Sequence, residues 1–181
     1  MKKIFIIACC ILIIPFNAIA NDSIVLGLKW GDTYEIVKSN LQKRFGAINV
    51  DHDEENKSVI IKSQTQVKGL EYRVYCTVTD DSLCYIEIIC NVNYQGRNNP
   101  RIASSLAREF FSNYFDCNNS YKLIYEELYL DDKYKSILRE YISNSTHVSI
   151  SGGGNKRLEG DGLIFVYFQP IQNYYNGYFF K

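Results

Sequence analysis

The chain is 181 residues long, 46% hydrophobic, 14% aromatic and 22% charged, and its 20 basic residues balance its 20 acidic ones. That balance belongs to one ordinary globular domain and excludes both a disordered chain and the charge excess that holds nucleic acid. Two histidines against 15 tyrosines and 10 phenylalanines leave few of the usual catalytic bases and metal ligands.

Residues 1–20 open with Lys2 and Lys3, run apolar from Ile4 to Pro15, and end in Ala18-Ile19-Ala20 before polar Asn21 and Asp22. This is the anatomy of a secretory signal peptide. The apolar run is well short of the roughly 20 residues that span a bilayer as a helix, so cleavage after Ala20 is expected rather than anchoring. Ile6-Ile7-Ala8-Cys9 has the residue types of a lipobox, but it lies inside the apolar run, where a lipidated cysteine would follow a complete one. The expected product is residues 21–181, a single soluble domain, periplasmic or secreted and not an integral membrane protein.

After Ile24 to Trp30, the stretch Gly31-Asp32-Thr33-Tyr34-Glu35 reads as a capping box, with Asp32 as cap and Glu35 three residues on. Tyr34, Val37, Leu41 and Phe45 then recur at helical spacing, and Gly46 supplies the stop. From Ala47 to Val92 the pattern is a meander, with strands at Val59-Ile60-Ile61, Tyr72 to Val78 and Leu83 to Ile89. Alternation sends Arg73, Thr77 and Thr79 away from the core. Asn99-Pro100 opens a second helix carrying Ile102, Leu106 and Phe110 and running to Tyr114. Tyr121 to Leu130 fits strand and helix equally. Asp131-Asp132 then caps a predicted third helix with Tyr134, Ile137, Leu138, Tyr141 and Ile142 as its stripe. His147 to Ile150, Leu163 to Phe168 and a weaker aromatic segment from Tyr174 to Phe180 read as strands, with a glycine-rich hairpin connection from Gly152 to Gly162. No internal repeat stands out. The predicted fold is α+β, an antiparallel meander with two to three helices packed on one face.

Cys76, Cys84, Cys90 and Cys117 follow the signal, an even set in an oxidising compartment, so disulfides are expected. Sequence leaves the pairing open. A hairpin about Asp80-Asp81 would bring Cys76 near Cys84, and Cys90 could then reach Cys117 after the second helix. The spacings contain no C-x-x-C, a poor match to zinc or thioredoxin-type redox sites.

The stretch Gly27-Leu28-Lys29-Trp30-Gly31-Asp32, with the helix and Gly46 behind it, resembles the opening of small exported bacterial proteins in which a Trp-Gly pair precedes a capped helix. Val67-Lys68-Gly69, the strands to Cys90 and the helix after Pro100 resemble their layout over residues 24–115. More remotely the chain is similar to the SmpA/OmlA outer-membrane assembly lipoproteins and the β-lactamase inhibitor proteins, which place helices on an antiparallel sheet and bind other proteins. The chain departs from them in having no lipidated cysteine directly after the signal and one Trp30-Gly31 element where they have a tandem repeat. The resemblance implies a binding role and assigns no active-site residue.

Candidate chemistry is sparse. His52 lies among Asp51, Asp53, Glu54 and Glu55, whose oxygens suit a divalent cation, yet the spacing fits no EF-hand and reads as a solvated acidic turn. His147, with Ser149, Ser151, Asp161 and Cys117, offers the residue types of a nucleophilic site but no nucleophile elbow. Gly152-Gly153-Gly154-Asn155-Lys156-Arg157 has the glycines and cations of a phosphate loop in the wrong order, with a strand after it where a helix is needed.

The tyrosines say more. Tyr94, Tyr114, Tyr121, Tyr125, Tyr129, Tyr174, Tyr175 and Tyr178 exceed what a small core buries with satisfied hydroxyls, and tyrosine suits wet protein interfaces. Richness in Ile, Asn, Lys and Tyr is equally what an AT-rich genome encodes. The expectation is a monomeric, non-enzymatic, exported domain without cofactor or metal that binds another protein, of the inhibitor, immunity or envelope-assembly type. Its rivals are a small hydrolase using His147 or His52 and a small-ligand carrier with an enclosed apolar cavity.

Overall fold

The computed structural model describes residues 24–67, 70–94, 97–98, 103, 105, 107, 112–130, 135–153 and 162–176. The signal segment, Ile102, Leu106 and Phe110 of the second helix, the loop at 154–161 and the segment 177–181 lie outside the described residues.

Helix α1 spans Tyr34–Phe45 and buries Tyr34, Val37 and Leu41, the face its spacing predicts. Its cap is Thr33 and not Asp32: Thr33 Oγ1 accepts from the Ile36 N–H at 3.5 Å. Asp32 is engaged elsewhere, its carboxylate accepting from the Lys29 N–H at 2.8 Å. That bond closes the turn holding Trp30-Gly31 against the sheet, where the Leu83 N–H donates to the Asp32 carbonyl (2.8 Å) and the Gly31 N–H to the Leu83 carbonyl (3.3 Å). At Gly46, φ of 83° turns the chain out of the helix, and its N–H still reaches the Gln42 carbonyl.

A short 3-10 turn, Ala47–Asn49, leads into β1 (Val50–Asp53), β2 (Ser58–Val67), β3 (Leu70–Thr79) and β4 (Ser82–Tyr94). The β3–β4 turn is the expected Asp80-Asp81, both at positive φ (51° and 55°), as a two-residue hairpin loop of matching twist demands. Two-residue β5 (Arg97–Asn98) pairs with the end of β4. Ala103, Ser105, Ala107 and Ser112 are helical, and α2 (Asn113–Asp116) ends that segment. Then come β6 (Lys122–Leu130), β7 (Lys135–Ile142), β8 (Thr146–Gly153), β9 (Leu163–Pro170) and α3 (Ile171–Tyr175).

Among the described residues eight strands lie in the order β1-β2-β3-β4-β9-β8-β7-β6, with β5 off this path, and every neighbouring pair is antiparallel. A helix followed by a four-strand meander therefore occurs twice, and the two units meet where β4 pairs with β9. Periodicity in the sequence did not reveal this duplication. Repeated topology needs only repeated alternation, not repeated residues.

One face of the sheet is the core. Val59, Val74, Cys76, Val78, Ile86, Ile88, Cys90, Val148, Ile150, Ile164, Val166 and Phe168 form it beneath α1 and the Ala103–Asp116 segment. Arg73 and Thr79 are exposed on the other face, as alternation predicts. The burial of these apolar side chains, at about 25 cal/mol per Å2, is the main force joining the two units.

Two predicted elements are corrected. The stripe Ile137, Leu138, Tyr141, Ile142 belongs to strand β7 and not to a third helix. Ile137 and Tyr141 point into the core while Leu138, Glu140 and Ile142 share the other face, and Arg139 is tolerated on the core side because Asp116 (2.7 Å) and Glu126 (2.8 Å) pair with it. Hydrogen bonding to β6 and β8 on both flanks overrides a pattern that also reads at helical spacing. The segment from Tyr174 begins in the single turn of α3 and not in a strand, because β9 ends at Pro170 and the Ile171 N–H donates back to the Ser145 carbonyl at 2.9 Å. The ambiguous stretch at 121–130 is strand β6.

Candidate functional site

Among the described residues no helix covers the second face of the sheet over its centre. Register places Tyr75 of β3, Tyr85, Glu87 and Ile89 of β4, and Phe165, Tyr167 and Gln169 of β9 on that face. All but the buried Gln169 are half-buried. The rings form a platform: Tyr85 stacks with Tyr167 at 5.9 Å and 25°, and Tyr167 with Phe165 at 5.9 Å and 6°. The Tyr167 hydroxyl bonds the Glu87 carboxylate, yet burial among the rings outweighs this and raises the pKa of Glu87. Burial and the neighbouring Glu87 raise Tyr167 to about 12. The alternation 85-87-89 and 163-165-167 carries the signal for this platform, but strands flanking a core look alike on both faces, so the sequence does not tell this face from the core face.

Beside the platform, β8 carries His147, Ser149 and Ser151 on the same face. His147 is 3% exposed, its ring stacked under Tyr174 of α3 at 4.1 Å and 19°. Gln169 Nε2 stands 3.0 Å from Nδ1, and Glu140 Oε2 stands 3.5 Å from Nε2. Burial pulls the His147 pKa below its ordinary value against the opposing pull of Glu140. Both ring nitrogens thus face groups other than a hydroxyl nucleophile, and Asp161 lies outside the described residues.

The remaining sequence candidates scatter. Trp30, Gly31 and Asp32 are structural: besides the turn above, Trp30 Nε1 donates to Thr146 Oγ1 at 2.9 Å, fastening the segment before α1 to β8. His52 is exposed on β1. Asp53 accepts from the backbone N–H groups of Glu55 and Asn56 at 3.0 Å, so the acidic cluster is the end of β1 and its turn into β2; these bonds lower the Asp53 pKa. Among the described residues no group of three His, Cys, Asp or Glu is arranged to hold a metal ion.

The tyrosines divide. Tyr114 and Tyr121 pack edge-on against the buried Phe115, at 5.1 and 4.9 Å, and serve the core margin. Tyr125 is exposed on β6, where its hydroxyl donates to Glu127 at 2.9 Å. Tyr174 covers His147 and Tyr175 is 70% exposed. Tyr94 and Tyr129 lie in β4 and β6 with side chains outside the description, and Tyr178 lies outside the described residues.

The expected cysteine pairing is absent from the structure. Register sets Cys76 opposite Ile86, with a bulge after Thr77 that takes up Cys84. The Cys84 thiol contacts the Thr77 carbonyl (3.5 Å) and Thr79 Oγ1 (3.3 Å), while Cys76 points into the core. Cys90 is fully buried between Tyr72 and Ile164, whereas Cys117 is exposed after α2. Burial pushes the thiols of Cys76 and Cys90 up to about 12.

No family model matches the chain, and no curated protein matches it. Among the described residues no helix is long and apolar enough to cross a membrane.

Proposed function

We propose that this is an exported, non-enzymatic, monomeric protein-binding domain, of the inhibitor, immunity or envelope-assembly type, and that it binds through the uncovered face of its sheet. The observation that carries the reading is the stacked platform of Tyr85, Tyr167 and Phe165 at the junction of β4 and β9. Large rigid rings beside a few polar groups are what hot spots at protein interfaces are made of. Here Glu87, Ser149 and Ser151 are those polar groups, on strands held by neighbours on both flanks. The signal-like residues 1–20 support export, and the Trp30-Gly31 opening, similar to that of small exported binding proteins, accords with it.

The test is affinity capture with residues 21–181 from envelope and culture-supernatant extracts, identified by mass spectrometry. A stoichiometric protein partner is expected that is lost with Tyr85→Ala and Tyr167→Ala and retained with Ile36→Ala, which alters the exposed side of α1. Circular dichroism checks that the variants are folded. Capture indifferent to the platform substitutions, or no capture at all, overturns the reading.

A further inference from the structure

The two edges of the sheet occupy equivalent places in the duplicated topology and are built differently. β1 has four residues, Val50-Asp51-His52-Asp53, with Asp51 and His52 exposed. Shortness and charge are how sheets discourage strand addition. β6 has nine residues, Lys122–Leu130, without proline, and among the described residues no strand pairs its outer edge. Leu123 (37% exposed), Ile124 (37%), Tyr125 (45%) and Leu128 (43%) stand open along it. Its one charge on the core side is neutralised from within the sheet: Glu126 is held by Arg139 at 2.8 Å, and Arg139 is held in turn by Asp116.

The two rows of β6 side chains differ in chemistry. Register puts Leu123, Glu126 and Leu128 on the core side, opposite Tyr141, Arg139 and Ile137. Lys122, Tyr125 and Glu127 lie on the uncovered side, opposite Ile142, Glu140 and Leu138. Glu127 accepts from Tyr125, and among the described residues no cation pairs with it. The uncovered row thus starts with a cation at Lys122 and becomes an acidic, hydroxyl-bearing strip from Tyr125 to Glu127 next to Glu140, whereas the core-side row is apolar once Glu126 is paired.

We propose that the outer edge of β6 takes up an extended segment of a partner protein as an added strand, with basic side chains over Tyr125 and Glu127 and apolar side chains over Leu123 and Leu128. The inference rests on the protein-binding reading and extends it from the platform to the edge. Main-chain hydrogen bonds along β6 supply the attachment, and the alternation of charge and apolarity sets which segment fits. A nine-residue strand matches the length of β6.

The experiment uses two synthetic nine-residue peptides, one alternating lysine with valine and one alternating glutamate with valine, and reads amide hydrogen exchange across residues 21–181. The lysine peptide is expected to slow exchange in β6 by about ten-fold while the glutamate peptide does not. Glu127→Lys is expected to reverse that preference, and Ile124→Lys to abolish protection with either peptide. Equal protection by both peptides, or a preference unmoved by Glu127→Lys, overturns the proposal. Protection of β4 and β9 without β6 also overturns it but leaves the platform reading standing, whereas protection nowhere removes the edge and leaves the platform to its capture test. Protection of β6 that rises with protein concentration in the absence of peptide assigns the edge to a second copy and overturns the proposal.

Discussion

Gly152 lies directly beneath Ala107: a methyl group built on Gly152 would stand 2.5 Å from the Ala107 Cβ and 3.0 Å from the Ala103 carbonyl oxygen. The absent side chain is what lets the second helical segment settle on β8. The glycine-rich stretch therefore starts as a packing surface, with Gly152 and Gly153 in β8.

Gly152→Ala is expected to destabilise the fold by about 1–3 kcal/mol, the usual range for forcing a methyl into a filled site. Urea unfolding checks this. Adding Ala107→Gly should recover only part of the loss, because the Ala103 carbonyl still crowds the new methyl and a helical glycine costs about 1 kcal/mol.

Trp30 and Thr146 form a bond between segments 116 residues apart in the chain. Thr146→Val keeps the shape and removes the acceptor, and Trp30→Phe removes the donor. Each is expected to cost about 1–2 kcal/mol, with a double-mutant coupling of about 0.5–1.5 kcal/mol in denaturant titrations. A coupling of zero would mean that the indole N–H is satisfied elsewhere.

His147 predicts an acid-sensitive fold. Its folded pKa lies below its ordinary value of 6.5, because burial beneath Tyr174 disfavours the imidazolium more than Glu140 favours it. The unfolded chain then binds the extra proton first, so stability falls as pH drops from about 6.5 toward the folded pKa. Asp53, with a lowered pKa, titrates further toward acid from its ordinary value of 3.8. Thermal melts from pH 7.5 to 5.5 should show this fall in the wild type and a flatter profile in His147→Gln.

Glu87 carries the opposite sign. Its pKa is raised by burial, so the folded state binds its proton more tightly than the unfolded state and the ionised carboxylate costs stability at neutral pH. Glu87→Gln is expected to raise the melting temperature at pH 7, with the difference shrinking as pH falls through the folded pKa toward 4.5. A lower melting temperature at pH 7 would show that the bond from Tyr167 is worth more than the burial it opposes.

Helix α1 and strands β2 to β4 were legible because local pattern and tertiary environment agree there. Tyr34, Val37 and Leu41 face one way at helical spacing, and Tyr72, Val74, Cys76 and Val78 alternate against Arg73 and Thr79. β7 was illegible for the converse reason. Ile137 and Tyr141 fit both periods, and only the strands on each side decide between them. Of the candidate tyrosines, Tyr125 and Tyr175 are well exposed, while the central platform uses Tyr85 and Tyr167 instead.

By itself the sequence determined the α+β class, the first helix and its Gly46 stop, the Asp80-Asp81 turn and the faces of the first meander, because each follows from neighbours within a few residues. Only the tertiary structure decided that β9 returns to pair with β4, that Cys76 and Cys84 part at a bulge, and that a ring platform opens at that junction. Those outcomes depend on register between strands distant in the chain. A shift of one residue there exchanges core for surface, and no local pattern contains it.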